Sequence, residues 1–264
     1  MLIGSGLLAR AFAPISYRNE RMCIYAAGVS NSGCKDQHEF AREEVRLRDA
    51  LHRNKGAELF VYFGTCSAID PASRDTAYVQ HKLAMESLVV SHPSYMILRL
   101  PQVAGKTPNP HTLLNFLYAR ISRSEAFTLW SKARRNIIDI DDIVFIARQL
   151  IDDCSQRNVT QNIANPVSYG MRDIVQAMER VVGKPAVFDV ADKTSEYVID
   201  ISGINQILRN LQIGFGSDYL ENILRKYYRP SFLTLAHEQC PELHFDSQKN
   251  LPELVSNNTL NWMK

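Results

Sequence analysis

The chain has 264 residues, of which 45% are hydrophobic and 22% charged, with 30 basic and 28 acidic side chains. This length corresponds to one large domain or two closely packed lobes, which bury enough surface to need no cross-links. The net charge of +2 predicts no general attraction to nucleic acids or anionic membranes, and no apolar run approaches the ~18 residues that would cross a bilayer.

The amino-terminal residues lack the basic and apolar regions of a secretion signal, so we expect a cytoplasmic protein. Its cysteines are scattered and form no C-x-x-C pair, which predicts reduced thiols rather than disulfides or a zinc ribbon. Cys34 and His38 are one helical turn apart, but no second pair would complete a tetrahedral site. We therefore expect no metal.

The first hundred residues alternate between short apolar strands and amphipathic helices. A strand fragment at 1–3 precedes a helical pattern, and further strands are predicted at 22–28, 59–63 and 95–100, with helices at 39–53 and 77–91. These alternations predict a parallel sheet with crossover helices. The second half predicts helices at 112–121, 142–151 and 171–182, strands at 136–140 and 162–164, and loops around short helices after residue 230.

A glycine turn, Gly4-x-Gly6-x-x-Ala9, follows the first strand fragment and opens a helix. Glycines at such a turn let the backbone approach a pyrophosphate, which the free N–H groups and the helix dipole would hold. The alternative is a plain strand–helix turn.

Two further motifs carry candidate chemistry. Tyr78 and Lys82 are four residues apart on a predicted helix, so they share a face, and an ammonium there would lower the pKa of the phenol from its usual ~10. Thr65 follows the strongest predicted strand, where a hydroxyl would bind a substrate oxygen and share its proton with the tyrosine. A turn in which that hydroxyl satisfies local backbone is the alternative.

Taken in order, these motifs resemble the NAD(P)-dependent epimerase/dehydratase family, the extended short-chain dehydrogenases/reductases. The resemblance covers residues 1–190 and weakens towards 230. Its further elements are Ala26-Ala27-Gly28 at the end of a strand, Leu98–Gly105 after the fourth strand, Arg135–Asp142, and Asn162–Pro166.

The resemblance implies an α/β fold: a Rossmann-like, doubly wound parallel sheet with a smaller C-terminal substrate lobe. We expect a dinucleotide-binding domain over 1–160, with 107–135 contributing to the substrate lobe, and that lobe and a tail mainly over 161–264. The resemblance also implies three groups of site residues. The catalytic set is Thr65, Tyr78 and Lys82; the cofactor-binding set is Gly4, Ser5, Gly6, Leu7, Leu8, Ala26, Ala27, Gly28, Lys82, Pro101 and Val103; the substrate-binding set is Gln102 and Arg135.

The chain also departs from the family. Between the glycine-turn helix and the Ala-Ala strand only 14–21 remain, too few for the family's second and third strands and their helix. In the family, an acidic residue in this region hydrogen-bonds the 2′-hydroxyl of the ribose, and the sequence has no counterpart for it. The family favours NAD, whereas Arg18 and Arg21 would suit the 2′-phosphate of NADP, and we expect weak enclosure of the adenosine.

The predicted function is an NAD(P)-dependent sugar-nucleotide epimerase or ketoreductase. The short step from Thr65 to Tyr78 removes part of the loop that bears acidic groups in dehydratases. A non-catalytic binding or regulatory protein on a degenerate scaffold is the alternative. We also expect a homodimer through helices 39–53 and 77–91, the second of which carries Leu83, Leu88, Val89 and Val90 as apolar surface. The alternative is that these residues pack only within one subunit, with the charges of Arg42, Glu43, Glu44, Arg46 and Arg48 keeping the surface solvated.

For three other groups of residues, an ordinary structural role competes with a functional one. His81 is predicted to face another side of its helix than Tyr78 and Lys82. The pair Tyr227 and Tyr228 is expected to pack within the C-terminal lobe rather than stack on a base. The basic cluster Lys132, Arg134 and Arg135 is either a solvated loop or a diphosphate contact.

Overall fold

The computed structural model describes residues 1–16, 21–153 and 155–229, and the expectation for residues after 230 lies outside this part of the chain. The strands in chain order are β1 (Leu2–Ile3), β2 (Met22–Tyr25), β3 (Leu59–Thr65), β4 (Tyr95–Leu100), β5 (Gln102–Ala104), β6 (Phe127–Asp139), β7 (Val159–Asn162), β8 (Ser168–Gly170) and β9 (Phe188–Ser195). The α-helices are α1 (Leu7–Ser16), α2 (Gln37–Arg53), α3 (Ala77–Val89), α4 (Leu113–Ser122), α5 (Ile140–Asp152), α6 (Met171–Val182), α7 (Asn205–Leu211) and α8 (Tyr219–Tyr228).

Within the described residues, a parallel sheet of five strands has the order β1-β2-β3-β4-β7. Leu2 lies opposite Ile24, and Met22 lies opposite Leu59, so the strands start at a common edge. β1 pairs directly with β2 and is the outermost strand of the described sheet. The predicted parallel sheet is therefore confirmed, and among the described residues no strand pairs with the outer edge of β1.

Both faces of this sheet are buried, which explains the near-continuous apolar runs of its strands. Alternate side chains of β2 and β3 point to opposite faces. Ile24 and Val61 join a core beneath α1 and α5, and Cys23 and Phe60 join a second core beneath α2 and α3. Helices on both faces make the sheet doubly wound, as predicted.

A second sheet has the order β5-β6-β8, with β9 also paired to β6, and α4, α6 and α8 pack against it. β6 connects the two lobes, because Leu129 lies in the core of the second sheet whereas Ile138 lies in the core of the first. The sequence predicted only the end of this strand, at 136–140. The preceding stretch alternates apolar side chains with charged ones, and its pairing to β9 has no local signal.

The predicted boundary at residue 160 falls within β7, which belongs to the first sheet. Tyr228 is buried in the second core and donates a hydrogen bond to Asn115, and Tyr227 donates to Asp139. The packing role predicted for this tyrosine pair is therefore confirmed.

Two buried asparagines join β6 to the segment after β7. Asn136 accepts a hydrogen bond from the backbone N–H of Asn165 and donates to its carbonyl. The Asn165 side chain donates to the Ile137 carbonyl and to Tyr169, and accepts from the N–H of Val167. This amide uses both of its N–H donors and its carbonyl oxygen where it is almost completely buried.

We expect Asn165→Ala to lower the free energy of unfolding by about 3 kcal/mol, because it leaves several buried polar groups without partners, each worth ~1–3 kcal/mol. Asn222→Ala is a suitable control, since this exposed amide bonds only Asp218 on the same helix, and we expect it to change the free energy by less than ~0.5 kcal/mol. Urea unfolding of both variants measures the difference. If the two variants had the same urea midpoint, the side chain of Asn165 would not stabilise the connection between β6 and the segment after β7.

Candidate active site

A cavity of about 600 Å³ lies where the carboxyl ends of the parallel strands face the second lobe. Its volume is in the range of a small-molecule site. Every site residue predicted from the sequence lines it: Gly4, Ser5, Gly6, Leu7, Leu8, Ala26, Ala27, Gly28, Thr65, Tyr78, Lys82, Pro101, Gln102, Val103 and Arg135. The structure therefore brings these residues together, whereas the role of each stays a prediction.

The glycine turn lies against the end of β2. Gly4 has φ of 130°, which side-chain-bearing residues rarely adopt, and a Cβ atom there would lie 2.3 Å from the carbonyl oxygen of Ala26. At Gly6 a Cβ would meet no atom within 4 Å. The two glycines thus differ: Gly4 is needed for the close approach of two chain segments, and Gly6 leaves space on the cavity side at the start of α1.

The hydroxyl of Thr65 lies beside the phenol of Tyr78 and lowers its pKa by hydrogen bonding. Thr65 ends β3, and its hydroxyl also accepts a bond from the N–H of Ser67, so it caps the following 3-10 turn. Tyr78 lies in the first turn of α3, where Thr76 caps the helix. Both side chains are buried but line the cavity, so their hydroxyls reach it without much solvent around them.

The pKa of Tyr78 is raised well above its usual range. Burial is the largest cause, the hydrogen bond to Thr65 opposes it, and the nearby charge of Glu43 raises the pKa further. The expectation that Lys82 lowers this pKa is wrong in this structure, because the Lys82 ammonium is compensated by a carboxylate. The raised pKa keeps Tyr78 in its neutral phenol form.

That carboxylate is Glu43, which the sequence analysis considered only as a solvated surface charge and which the structure buries. It is 2% exposed, and its Oε1 lies 3.2 Å from Nζ of Lys82 and accepts a 3.0 Å bond from the Tyr62 hydroxyl. Its Oε2 lies 3.0 Å from Nε2 of His81 and accepts a 2.6 Å bond from the N–H of Val29. Burial would raise its pKa, but the hydrogen bond of His81 and the charge of Lys82 lower it to about 2.

His81 stacks on Phe40 at 4.5 Å between ring centroids and does not line the cavity. It was predicted to face another side of α3 than Lys82, but both side chains contact the carboxylate of Glu43. The signal for Glu43 was present in the pattern of α2. The residues of this helix that face the core are Phe40, Glu43, Leu47 and Ala50, spaced by three or four, so a carboxylate occupies an apolar position.

The opposite wall of the cavity belongs to the second lobe. Arg135 donates to the carbonyl and hydroxyl of Ser195, and burial lowers its pKa. Arg134 also lines the cavity and pairs with Glu196. Lys132 pairs with Asp192 and does not line it, so the predicted basic cluster divides between the cavity and the surface.

Tyr197, Arg10 and Arg46 line the cavity without having been predicted. Tyr197 follows β9, a strand that the sequence did not reveal. Arg21, considered for a 2′-phosphate, precedes β2 at the opposite edge of the sheet and pairs with Glu58, so it is not part of the site. Arg18 lies outside the described residues.

Across the described part of the chain, no three His, Cys, Asp or Glu side chains group as metal ligands, and no helix there is long and apolar enough to span a membrane.

We expect Gly4→Ala to destabilise the protein by more than ~2 kcal/mol, because the methyl group collides with backbone and φ is strained. The matched variant Gly6→Ala has open space and should stay within ~1 kcal/mol of the wild type. Thermal unfolding of the two variants tests this difference. A stable Gly4→Ala protein would show that the turn is not built as described.

Comparison of the sequence with models of known protein families gives no match, and comparison with curated proteins gives no significant match. Solved structures do match. The Bordetella bronchiseptica enzyme WbmH in complex with NAD⁺ superposes with a TM-score of 0.61 at 15% identity, over 84% of this chain and 78% of the other. The Thermus thermophilus UDP-glucose 4-epimerase in complex with NAD gives 0.61 at 16% identity, over 83% and 78%.

A third match, a mutant of the Bacillus cereus UDP-glucuronic acid 4-epimerase in complex with UDP-4-deoxy-4-fluoro-glucuronic acid and NAD, has a TM-score of 0.64 at 19% identity, over 78% of this chain and 74% of the other. At these identities the likeness establishes architecture. The chain has the Rossmann-like fold of the NAD-dependent epimerases and dehydratases, as its motifs had predicted.

Proposed function

We propose that the protein is an NAD(P)-dependent enzyme that epimerises or reduces a sugar carried on a nucleotide. The observation that supports this most is the buried Thr65–Tyr78 pair beside Lys82, opposite the glycine turn in one cavity. The solved structures of this fold include enzymes named with NAD, with NADPH, and with NAD and UDP. A nicotinamide cofactor and a nucleotide sugar are therefore the ligands that we assign.

The residues present fit a dinucleotide. Gly6 leaves room at the start of α1, and the free N–H groups of that helix offer a site for phosphates. Ala26, Ala27 and Gly28 present only small side chains to the cavity. When bound, the nicotinamide would supply hydride transfer.

In the proposed mechanism, Tyr78 exchanges a proton with a hydroxyl or ketone oxygen of the sugar. Thr65 orients that oxygen and shares its hydrogen bond with the phenol. Lys82 holds the ribose of the nicotinamide nucleotide. Gln102 and Arg135, on the wall formed by the second lobe, contact the substrate, with Arg135 directed at its diphosphate.

The cavity favours epimerase or ketoreductase chemistry over dehydration. Elimination of water requires a further acid/base group near Thr65, and Asp70 is the carboxylate that lines the cavity on that side. Both of its oxygens are engaged, because Oδ1 accepts from the N–H of Ala72 and Oδ2 accepts from the hydroxyl of Ser73. Asp70 therefore stabilises the turn after the 3-10 helix and is not the acid/base group that dehydration requires.

The cofactor assignment is NAD, bound less tightly than is usual for this fold. β1 is the outermost strand of the described sheet, so the strands that flank the adenosine in the complete fold are missing on that side. The guanidinium of Arg10 donates hydrogen bonds to the carbonyls of Ser5 and Lys106, so we do not assign it to a 2′-phosphate. Exposed Arg46 is the remaining cationic side chain on the α2 wall of the cavity.

We expect Tyr78→Phe to lower turnover by at least ~100-fold, because it removes the proton donor, while the affinity for NADH changes little. NADH and NADPH binding is followed by fluorescence, and turnover is assayed with UDP-glucose, UDP-galactose and UDP-glucuronic acid. Turnover by the variant within tenfold of the wild type would exclude Tyr78 from the mechanism. Dinucleotide binding without any turnover would instead favour the non-catalytic alternative.

We also propose a homodimer through α2 and α3. Val45 on α2 is 69% exposed, Val90 after α3 is 51% exposed, and Leu83 and Leu88 are half-buried. Val89, expected at this interface, is fully buried within the subunit core and is not part of it. The outer face of α2 also carries the ion pairs Glu39–Arg42, Glu44–Arg48 and Asp49–Arg53.

Light scattering at micromolar concentration should give about twice the chain mass of 30.0 kDa. Val45→Glu should halve that mass, because it places a charge in the apolar contact. Val187→Glu, at another exposed valine, should leave it unchanged. A wild-type mass near that of one chain would end the dimer proposal.

A further inference from the structure

Glu43 is the feature of the site that the proposed reaction leaves unexplained. It occupies a core-facing position of α2, and its carboxylate is enclosed by β2, β3, α3 and the loop after β2. Burying a carboxylate is unfavourable unless it is paired and hydrogen-bonded, and an apolar residue would fill the same position more simply. A buried charge at a position where the pattern of the helix favours an apolar side chain points to a functional demand.

The partner of Glu43 is Lys82, which the proposed function requires as a cation. Nζ of Lys82 is buried, lies 3.2 Å from Oε1 of Glu43, and sits 4.5 Å from the centroid of the Tyr62 ring. Glu86, the other acidic residue of α3 nearby, is held in a bidentate pair by Arg99. Among the described residues, Glu43 is therefore the carboxylate in salt-bridge contact with Lys82.

The same carboxylate also holds the loop that lines the cofactor side of the cavity. It accepts the N–H of Val29, the residue after Ala26-Ala27-Gly28. A Cβ atom on Gly28 would lie 2.8 Å from both Oε1 of Glu43 and Nζ of Lys82, so the loop rests directly on the ion pair. One side chain thus connects the loop after β2 to helix α3.

We propose that Glu43 is a positioning residue that keeps Lys82 charged and directed into the cavity and fastens the loop Ala26–Val29 beside it. The proposal rests on the proposed function, in which Lys82 binds the ribose next to the nicotinamide. Glu43 itself does not line the cavity, so it acts through Lys82 and the loop.

The charges around the pair determine how it responds to pH. Burial lowers the pKa of Lys82, whereas the charge and hydrogen bond of Glu43 raise it and Glu86 adds to that effect. The other titratable or charged groups that face the pair are Tyr25 from β2, Tyr62 from β3, Arg46 from α2, and Tyr78 and His81 from α3. Without the charge of Glu43, burial dominates and Lys82 loses its proton at a lower pH.

The test is the pH dependence of NADH affinity in the full-length protein. We expect Glu43→Gln to bind NADH within about threefold of the wild type near pH ~6, and at least about tenfold more weakly near pH ~9, because one unit in the pKa of Lys82 is a factor of ten. Glu44→Gln is the matched control: Glu44 is the next residue of α2 and pairs with Arg48 at the surface. It should bind NADH as the wild type does at every pH.

A double-mutant cycle separates positioning from a structural role. If Glu43 acts through Lys82, the pair Glu43→Gln/Lys82→Met should bind NADH no more weakly than Lys82→Met alone. The double variant buries no unpaired charge, so it also serves if Glu43→Gln alone does not fold. Additive losses, or an unchanged pH profile in Glu43→Gln, would overturn the inference. A wild-type protein that binds neither NADH nor NADPH would instead refute the proposed function.

Discussion

The parallel alignment of β1 to β4 is the constraint on which the site depends. Parallel strands that start at one edge also end at one edge, so the turns that follow them must converge there. The glycine turn, the loop after Tyr25, the 3-10 turn after Thr65 and the segment at Pro101 are far apart in the chain but share one cavity. The second lobe closes that cavity because β6 belongs to the cores of both lobes.

Electrostatics at this edge is arranged around a buried pair. Glu43 and Lys82 neutralise each other where water is excluded, and the hydrogen bonds of Tyr62, His81 and Val29 satisfy the remaining lone pairs of the carboxylate. A buried carboxylate with unfilled lone pairs would destabilise the fold, whereas both oxygens of Glu43 accept two contacts each. Tyr78, one turn before Lys82 on α3, is kept in its neutral form chiefly by burial, and the charge of Glu43 raises its pKa further.

The shortened sheet shows which parts of the fold the cavity requires. β1 pairs directly with β2, and the ladder continues through the bonds from Ile24 to Met1 and from Ala26 to Ile3. The turn at Gly4 is thereby packed against Ala26 without further strands beyond β1, so the turn that we propose for the phosphates is complete in the shortened sheet. What the shortening removes is the support beyond β1, on the side that we propose for the adenosine.

The sequence by itself determined the order of the strands and helices in the first lobe and the doubly wound sheet, and every site residue that it indicated lines the cavity. Those features depend on local patterns, such as apolar runs buried on both faces, glycines in a turn, and the four-residue spacing of Tyr78 and Lys82. The tertiary structure decided the charge state of the site. Glu43 lies 39 positions from Lys82 in the chain, and no local pattern reveals that α2 packs its carboxylate against α3. For the same reason, the sequence did not predict β9 and Tyr197. A polar strand has no apolar pattern of its own, and only its hydrogen bonds to β6 define it.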